Sequence, residues 1–562
     1  MDGSATRLDE RRAALIARHS ATLESAIRAV GTRESWSPFS DSPSTKIHGP
    51  DKPGAGKAAF EARLATTFDL GQPGVIGEVG EEVSPFTQKP LGIRYPESDP
   101  EALLSAAVAA LPDWRAADFE LRIALCLEIA MRLYDRNFEM AHAVMHVAGQ
   151  SYTQAFSGSG PNALDRGLEA LAYAAKAMRD VAPSATYTRA FAGEPVALDK
   201  TYVLVPRGVG LVICCASFPT WNAYPAMFAS LATGNPVIVK PHPIAILPIA
   251  IVVEVCREVL TEFGFDPNLV TLAVDTLAEP VAQRLVDDPR VQIVDFTGSP
   301  RYGGHLERTV TGKLLFTETA GVNTVVIESV AEVEPVARAV ARASSLFSAQ
   351  MCTSPQVVYI APDLFDTMSA AIVGQIDAIA DDPAQAAGIM GAIQGEVSLR
   401  VVEETRAAIR ERSGVRVLRE ARPYAHPQFP DARTLTPLVV AVERGEHVDL
   451  YAEERFGPVL FLVKAEAGDA VMEAMRLARE RGSISSYLYS TDEDFIDRAT
   501  PLYEAAGANL TINLTGAMWI NFAAAYSDYH VTGLNPAGNA CLADLAFVAS
   551  RFRIVQRRRP TG

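Results

Sequence analysis

Leu211-Val212-Ile213-Cys214-Cys215, then residues 224–233 at helical spacing, then Pro236-Val237-Ile238-Val239: this stretch decides the fold. A short apolar run, a helix and a second apolar run form a β-α-β unit. Strands without polar alternation are buried on both faces, as in parallel sheets. Working outward, residues 246–263 read as helix, 269–274 as strand, 279–287 as helix and 292–296 as strand. A helix over 301–311 precedes a strand over 313–317. Upstream, 202–205 reads as a further strand.

A second alternating series begins near Val325. Strands are predicted at 325–327, 357–360, 415–418, 437–442, 459–464 and 484–489, with helices over 333–347, 364–378 and 470–480. The pattern predicts an α/β protein with two doubly wound parallel-sheet domains. Ahead of them, residues 8–31 read as an amphipathic helix and 35–56 as an extended Ser/Pro/Gly-rich connection. Loop and short strand follow over 83–100, then helices over 120–137, 138–148 and 164–181.

The 562 residues are enough for two or three domains, and 48% hydrophobic with 21% charged residues is an ordinary globular balance. The net charge of −16 argues against nucleic acid as a partner. Arg551, Arg553, Arg557, Arg558 and Arg559 cluster near the end and read as a solvated tail. Six cysteines without CxxC spacing indicate neither a disulfide framework nor a zinc site. His142 and His146 stand one helical turn apart beside Glu139, a spacing that can hold a metal, but no third ligand is evident, so no metal is expected. With no apolar signal core and no run of 18 apolar residues, the expectation is a soluble, cytoplasmic protein without a membrane partner.

Two residues carry chemistry: Glu318, in Phe316-Thr317-Glu318-Thr319-Ala320-Gly321-Val322-Asn323, and Cys352, in Phe347-Ser348-Ala349-Gln350-Met351-Cys352-Thr353. An ionised thiol is a strong nucleophile, and a carboxylate can activate water. Lys240 ends an apolar strand, where a parallel sheet meets its ligands. Phe296-Thr297-Gly298-Ser299 ends another, with Pro300 suited to the first turn of a helix, and small residues before a helix N-terminus suit a phosphate.

These motifs occur in one order with Phe218-Pro219, Val237-Ile238-Val239-Lys240-Pro241 and Glu454-Arg455-Phe456-Gly457-Pro458-Val459. The chain thereby resembles the aldehyde dehydrogenase superfamily over about residues 85 to 550. Within it, the chain looks most like the PaaN family of phenylacetic acid degradation proteins. The segments that carry that likeness are Ser217-Phe218-Pro219-Thr220-Trp221-Asn222, Lys240-Pro241-His242-Pro243 and Gly533-Leu534-Asn535-Pro536-Ala537-Gly538-Asn539. The resemblance implies Cys352 as nucleophile and Glu318 as the base that hydrolyses the thioester. It places Lys240 on the adenine-side ribose, Gly298 and Ser299 near the phosphates, and Glu454 with Phe456 at the nicotinamide ribose. Glu453 is adjacent to Glu454, and the following Phe-Gly-Pro favours Glu454. The implied substrate is an aldehyde, possibly a coenzyme A-linked semialdehyde from phenylacetate ring opening, and the implied assembly is a homo-oligomer. The implied domains are an N-terminal helical extension (1–84), a nucleotide-binding domain (85–185 and 201–321), a catalytic domain (322–515) and an oligomerisation element (186–200 and 516–562).

The chain also departs from the family. The position of the usual oxyanion-binding Asn falls on Ser217, with Asn222 five residues on. Many NAD-preferring members carry an acidic residue three positions after the Lys, where Pro243 stands here. Its absence leans toward NADP, with Lys240 or His242 meeting a 2′-phosphate. Ala320 replaces a Gly. A coenzyme A-acylating relative is the alternative activity, against which Glu318 argues, and a non-catalytic cofactor-binding protein is the third reading. For residues 1–84 an added helical layer, a subunit contact and a lip over the substrate entrance remain open.

Overall fold

The structure is a computed structural model that describes residues 3–221, 223–319, 321–521, 525–526 and 544–561. Asn222, Ala320, Cys541 and the 533–539 segment lie outside the described residues.

The opening stretch forms the centre of a five-stranded, all-parallel sheet. Its spatial order is Val270–Leu272, Val237–Lys240, Val209–Ile213, Val291–Gly298 and Leu314–Thr319. The chain starts in the middle, winds to one edge and returns to build the other, as in doubly wound folds. Alternation along the strands explains both covered faces. Val212, Val237, Val239, Val270 and Leu272 pack into one cluster with the helices Ala223–Ala232 and Leu247–Glu262. Leu211, Ile213 and Ile238 point the other way, onto Leu103, Leu104 and Ala107 of the helix Pro100–Ala116.

The second series forms a seven-stranded sheet: Arg416–Arg419, Leu438–Glu443, Val459–Lys464, Pro355–Ile360, Asn323–Ile327, Ser486–Tyr489, Leu510–Ile512. All neighbours are parallel except the Arg416–Arg419 edge, which pairs antiparallel. The fold is the expected α/β architecture.

Several local expectations need correction. Residues 202–205 belong to the long strand Glu194–Pro206, not to the parallel sheet. That strand pairs antiparallel with both Ser184–Phe191 and Phe552–Pro560. Arg553, Arg557, Arg558 and Arg559 are exposed, as a solvated segment would be, but they belong to a paired strand, and Arg551 just before it is fully buried. The 35–56 connection contains the short helix Thr45–His48 and the start of Lys52–Glu61. The helices Pro100–Ala116 and Glu396–Arg410 escaped periodicity, the first because Pro112 interrupts an Ala-rich run.

The N-terminal helix Gly3–Thr32 packs Leu15, Leu23, Ala26 and Val30 into the core beside the five-stranded sheet. Arg12 caps a helix from far along the chain, its guanidinium donating twice to the Phe263 carbonyl (3.1 and 2.8 Å) just past Leu247–Glu262. His142 and His146 stack on Phe60 (5.9 and 4.9 Å between ring centroids), and His146 Nδ1 pairs with the Ser84 hydroxyl at 2.8 Å. Among the described residues no helix is long and apolar enough to cross a membrane.

Candidate active site

A cavity of about 1120 Å³ opens between the carboxyl ends of the five-stranded sheet and the loop that precedes strand Pro355–Ile360. Every residue singled out from the sequence as catalytic or cofactor-binding lines it: Cys352, Glu318, Ser217, Lys240, His242, Gly298, Ser299, Glu454 and Phe456. Strand ends carry four of them. Lys240 ends its strand, Gly298 ends the next-but-one, Ser299 follows it, and Glu318 lies within the last two residues of Leu314–Thr319. Glu454 faces the cavity, whereas Glu453 reaches outward to Arg481 at 4.0 Å.

The Cys352 loop is held by groups that spacing alone did not single out. Asn323 Nδ2 donates to the Cys352 carbonyl (2.7 Å) and to the Ser354 carbonyl (3.0 Å). Its Oδ1 accepts from the backbone of Ile484 and Ser485 (2.9 and 3.0 Å), so one buried amide ties the nucleophile's loop to the next strand. Before Cys352, three successive non-glycine residues, Phe347, Ser348 and Ala349, adopt left-handed φ of 50, 49 and 54°. Such residues cost on the order of 1–3 kcal/mol each and persist only where surroundings impose them. Ser348 Oγ donates to the Met390 and Leu435 carbonyls, both at 3.2 Å. Gln350 Nε2 donates to the Phe347 and Ala392 carbonyls, both at 3.1 Å.

The turn carrying Ser217 is fixed the same way. Gln150 donates to the Ser217 carbonyl (2.7 Å) and Gln394 to the Ala216 carbonyl (2.8 Å). Ser217 is buried, and the Cys215 thiol in the same turn donates to the Phe218 carbonyl at 3.4 Å. Gln356 braces the Glu454 loop by accepting from the Arg455 N–H at 2.6 Å. Residues Asp41, Ser42 and Pro43 of the N-terminal extension also line the cavity, so that extension contributes to its rim.

The thiol is not held as an anion at rest. Cys352 lines the cavity and is partly exposed, yet desolvation by the surrounding protein pushes its pKa well above the ordinary thiol value. The Glu318 carboxylate, Cys215 and Glu454 push it further. The surrounding charges are of the wrong sign to depress this thiol toward neutral pH. Burial likewise raises the Glu454 carboxyl to about 8. Iodoacetamide labelling of Cys352 in nucleotide-free protein should therefore be slow at pH 7. It should rise about tenfold per pH unit through pH 9, because the thiolate is the reacting form. Peptide mapping of the labelled residue checks this, and a rate that levels off below pH 7 contradicts it.

At the sheet's open end the residues suit a dinucleotide. Ser299 caps the helix Pro300–Thr309, its side chain accepting from the Tyr302 N–H at 3.4 Å, and leaves a helix N-terminus beside Gly298. Lys240, although buried, is ion-paired: its Nζ lies 2.6 Å from Asp275 Oδ1. His242 is pushed down to about 4 by burial and by Lys240, so it is neutral at pH 7.

Known proteins carry the same arrangement of elements. An NAD-dependent aldehyde dehydrogenase from Burkholderia multivorans superposes with a TM-score of 0.94 at 43% identity, covering 98% of this chain and 99% of that one. A 1-pyrroline-5-carboxylate dehydrogenase from Thermus with bound NAD shares the fold at 19% identity and a TM-score of 0.74, covering 94% and 99%. In sequence, the 1-pyrroline-5-carboxylate dehydrogenase of Bacillus cereus (strain ATCC 10987 / NRS 248) is 24% identical over 493 residues, 83% of this chain and 90% of that protein. The family model described as "Aldehyde dehydrogenase family" matches residues 77–522, from the first short strand to just past the seven-stranded sheet. On that match, and with a nucleophile and a carboxylate in one cleft at the sheet ends, the chain belongs to the aldehyde dehydrogenase family.

Proposed function

We propose that this NAD(P)-dependent aldehyde dehydrogenase oxidises its aldehyde through a thioester on Cys352, released by water that Glu318 deprotonates. The observation that carries the proposal is the meeting of Cys352 and Glu318 in one cavity with the sheet ends that suit a dinucleotide. The raised thiol pKa means that the Cys352 proton must be removed as substrate and cofactor assemble. The sulfur then bonds the aldehyde carbon, whose carbonyl pair moves to oxygen and gives a thiohemiacetal. When bound, the nicotinamide supplies the acceptor for the hydride that leaves this carbon. Glu318 takes a proton from water, the water oxygen bonds the acyl carbon, and the C–S bond breaks to release the acid. Lys240, Gly298, Ser299, Glu454 and Phe456 hold the dinucleotide in this reading, and Ser217 supports the oxyanion.

The walls away from the nucleotide end favour an aldehyde without a free carboxylate. Trp221, Leu346, Met351, Val397 and Trp519 are apolar or aromatic there. Among the described lining residues, the only Lys and Arg are Lys240 and Arg301, both at the nucleotide end. A glutamate semialdehyde would leave its carboxylate without a cation, a costly state in a desolvated pocket. A coenzyme A-linked semialdehyde from phenylacetate ring opening is the finer reading, supported by the resemblance of the 217–222 and 240–243 segments. Glu318 speaks against transfer to free coenzyme A. The three-stranded sheet is proposed as the oligomer contact, since its strands leave Phe191, Val196, Ile554 and Val555 exposed.

One experiment tests both levels. Glu318→Gln should give a burst of about one equivalent of reduced nicotinamide followed by a rate at least about 100-fold below the parent, because acylation survives and hydrolysis does not. Stopped-flow absorbance reads the burst. An unchanged steady state would remove Glu318 as the base. Running an uncharged aldehyde, a coenzyme A-linked semialdehyde and glutamate semialdehyde side by side ranks the substrates.

A further inference from the structure

The nucleotide end of the cavity holds a carboxylate that the Lys240 motif lacks. Asp275 follows the strand Val270–Leu272, the immediate neighbour of the strand that ends in Lys240. Its Oδ1 lies 2.6 Å from Lys240 Nζ, with side chains 0% and 7% exposed. Its Oδ2 accepts from the Val281 N–H at 2.9 Å, which fixes the carboxylate's orientation. Both Asp275 and Lys240 line the cavity. Pro243, three residues after Lys240, offers no charge. His242 offers none either: its Nδ1 accepts from the Ile244 N–H at 3.4 Å, and burial keeps the ring neutral. Glu81 adds a second negative group nearby, felt by Asp275 and accepting from the Leu277 N–H at 3.4 Å. Arg301 stands in the first turn of the helix Pro300–Thr309, where a doubly wound sheet places bridging phosphates.

We propose that Asp275 selects the ribose of the dinucleotide, accepting a free 2′,3′-diol and rejecting a 2′-phosphate, so that the chain prefers NAD over NADP. The inference rests on reading this cavity as the dinucleotide site. A fixed carboxylate accepts hydrogen bonds from vicinal hydroxyls. The same carboxylate repels a phosphate dianion, and the low polarity of a buried site magnifies that repulsion. Lys240 does not offset this, because its charge is already matched by Asp275. The function that the family's acidic residue serves three positions after the Lys is thereby met from the adjacent strand, and the lean toward NADP drawn from Pro243 is reversed.

Equilibrium titration of the full chain with NADH and with NADPH, followed by nicotinamide fluorescence without any aldehyde, tests this. The parent should bind NADH about 100-fold more tightly, the scale that a buried like-charge contact imposes. Asp275→Asn should narrow the ratio to about fivefold or less, chiefly by tightening NADPH. Adding Pro243→Glu to that variant should restore the preference for NADH. Comparable affinities in the parent, or an unchanged ratio in Asp275→Asn, overturn the inference. The parent ratio decides the matter even if the variant does not fold. Absence of saturable binding of either nucleotide would instead overturn the dinucleotide reading of the cavity.

Discussion

Cys352→Ala is expected to lower kcat for aldehyde oxidation by about 10⁴-fold or more, with dinucleotide binding unchanged. Among the described lining residues the thiols are Cys214, Cys215 and Cys352, and Cys214 is buried. Cys215 is the other partly exposed thiol of the lining, but burial and Glu318 push it up to about 11, and it is engaged with the Phe218 carbonyl at 3.4 Å. Cys215→Ala is therefore the control and should keep most of the activity. The assay is absorbance of the reduced nicotinamide under saturating aldehyde. Full turnover in Cys352→Ala would leave the chain with a nucleotide site and no role for its central sulfur. Loss of turnover with intact binding would separate a catalyst from a scaffold that only holds the cofactor.

Arg551→Ala should destabilise the protein by about 3–5 kcal/mol, the usual cost of stranding one member of a buried ion pair. The guanidinium is wholly buried and donates to Asp295 Oδ1 (2.6 Å), Asp295 Oδ2 (2.8 Å) and Ser230 Oγ (2.8 Å). It packs against the Phe316 and Phe547 rings, 4.8 and 4.1 Å from their centroids. Asp295 sits in the strand that leads to Gly298, so an unpaired carboxylate there would disturb the sheet beneath the cavity. The urea midpoint reports the loss, provided the slope stays constant. The double variant Arg551→Met with Asp295→Leu should recover much of it, because neither charge is then left in an apolar site. A loss below about 1 kcal/mol in Arg551→Ala would show that water reaches the pair.

The parallel cores were legible because their strands are short apolar runs between helices of clear period, as in Val237–Lys240 and Val459–Lys464. Elements joined by distant pairing were not. Residues 202–205 look like any buried strand, and only their partner at the far end of the chain, Phe552–Pro560, assigns them to an antiparallel sheet. The same distance effect hid Arg551, a member of a basic cluster in sequence and a core residue in space. The site shows the same division. Glu318, Cys352 and Lys240 announce themselves by residue type at strand ends and in small-residue loops. Asn323 stood inside a motif already singled out, yet its amide matters through contacts with Cys352, Ile484 and Ser485, which no spacing reveals. Asp275 left one local trace, a carboxylate directly after an apolar run. Its pairing with Lys240 requires knowing that the two strands are neighbours.

The three left-handed residues ahead of Cys352 carry a consequence for how the molecule comes of age. Their anchors, the carbonyls of Met390, Ala392 and Leu435, emerge later in the chain than the sulfur they position. A half-made or partly unravelled molecule has nothing to hold that posture, and its backbone relaxes to an ordinary conformation. The loop that carries Cys352 thus takes its shape only once the segments holding residues 390, 392 and 435 are in place.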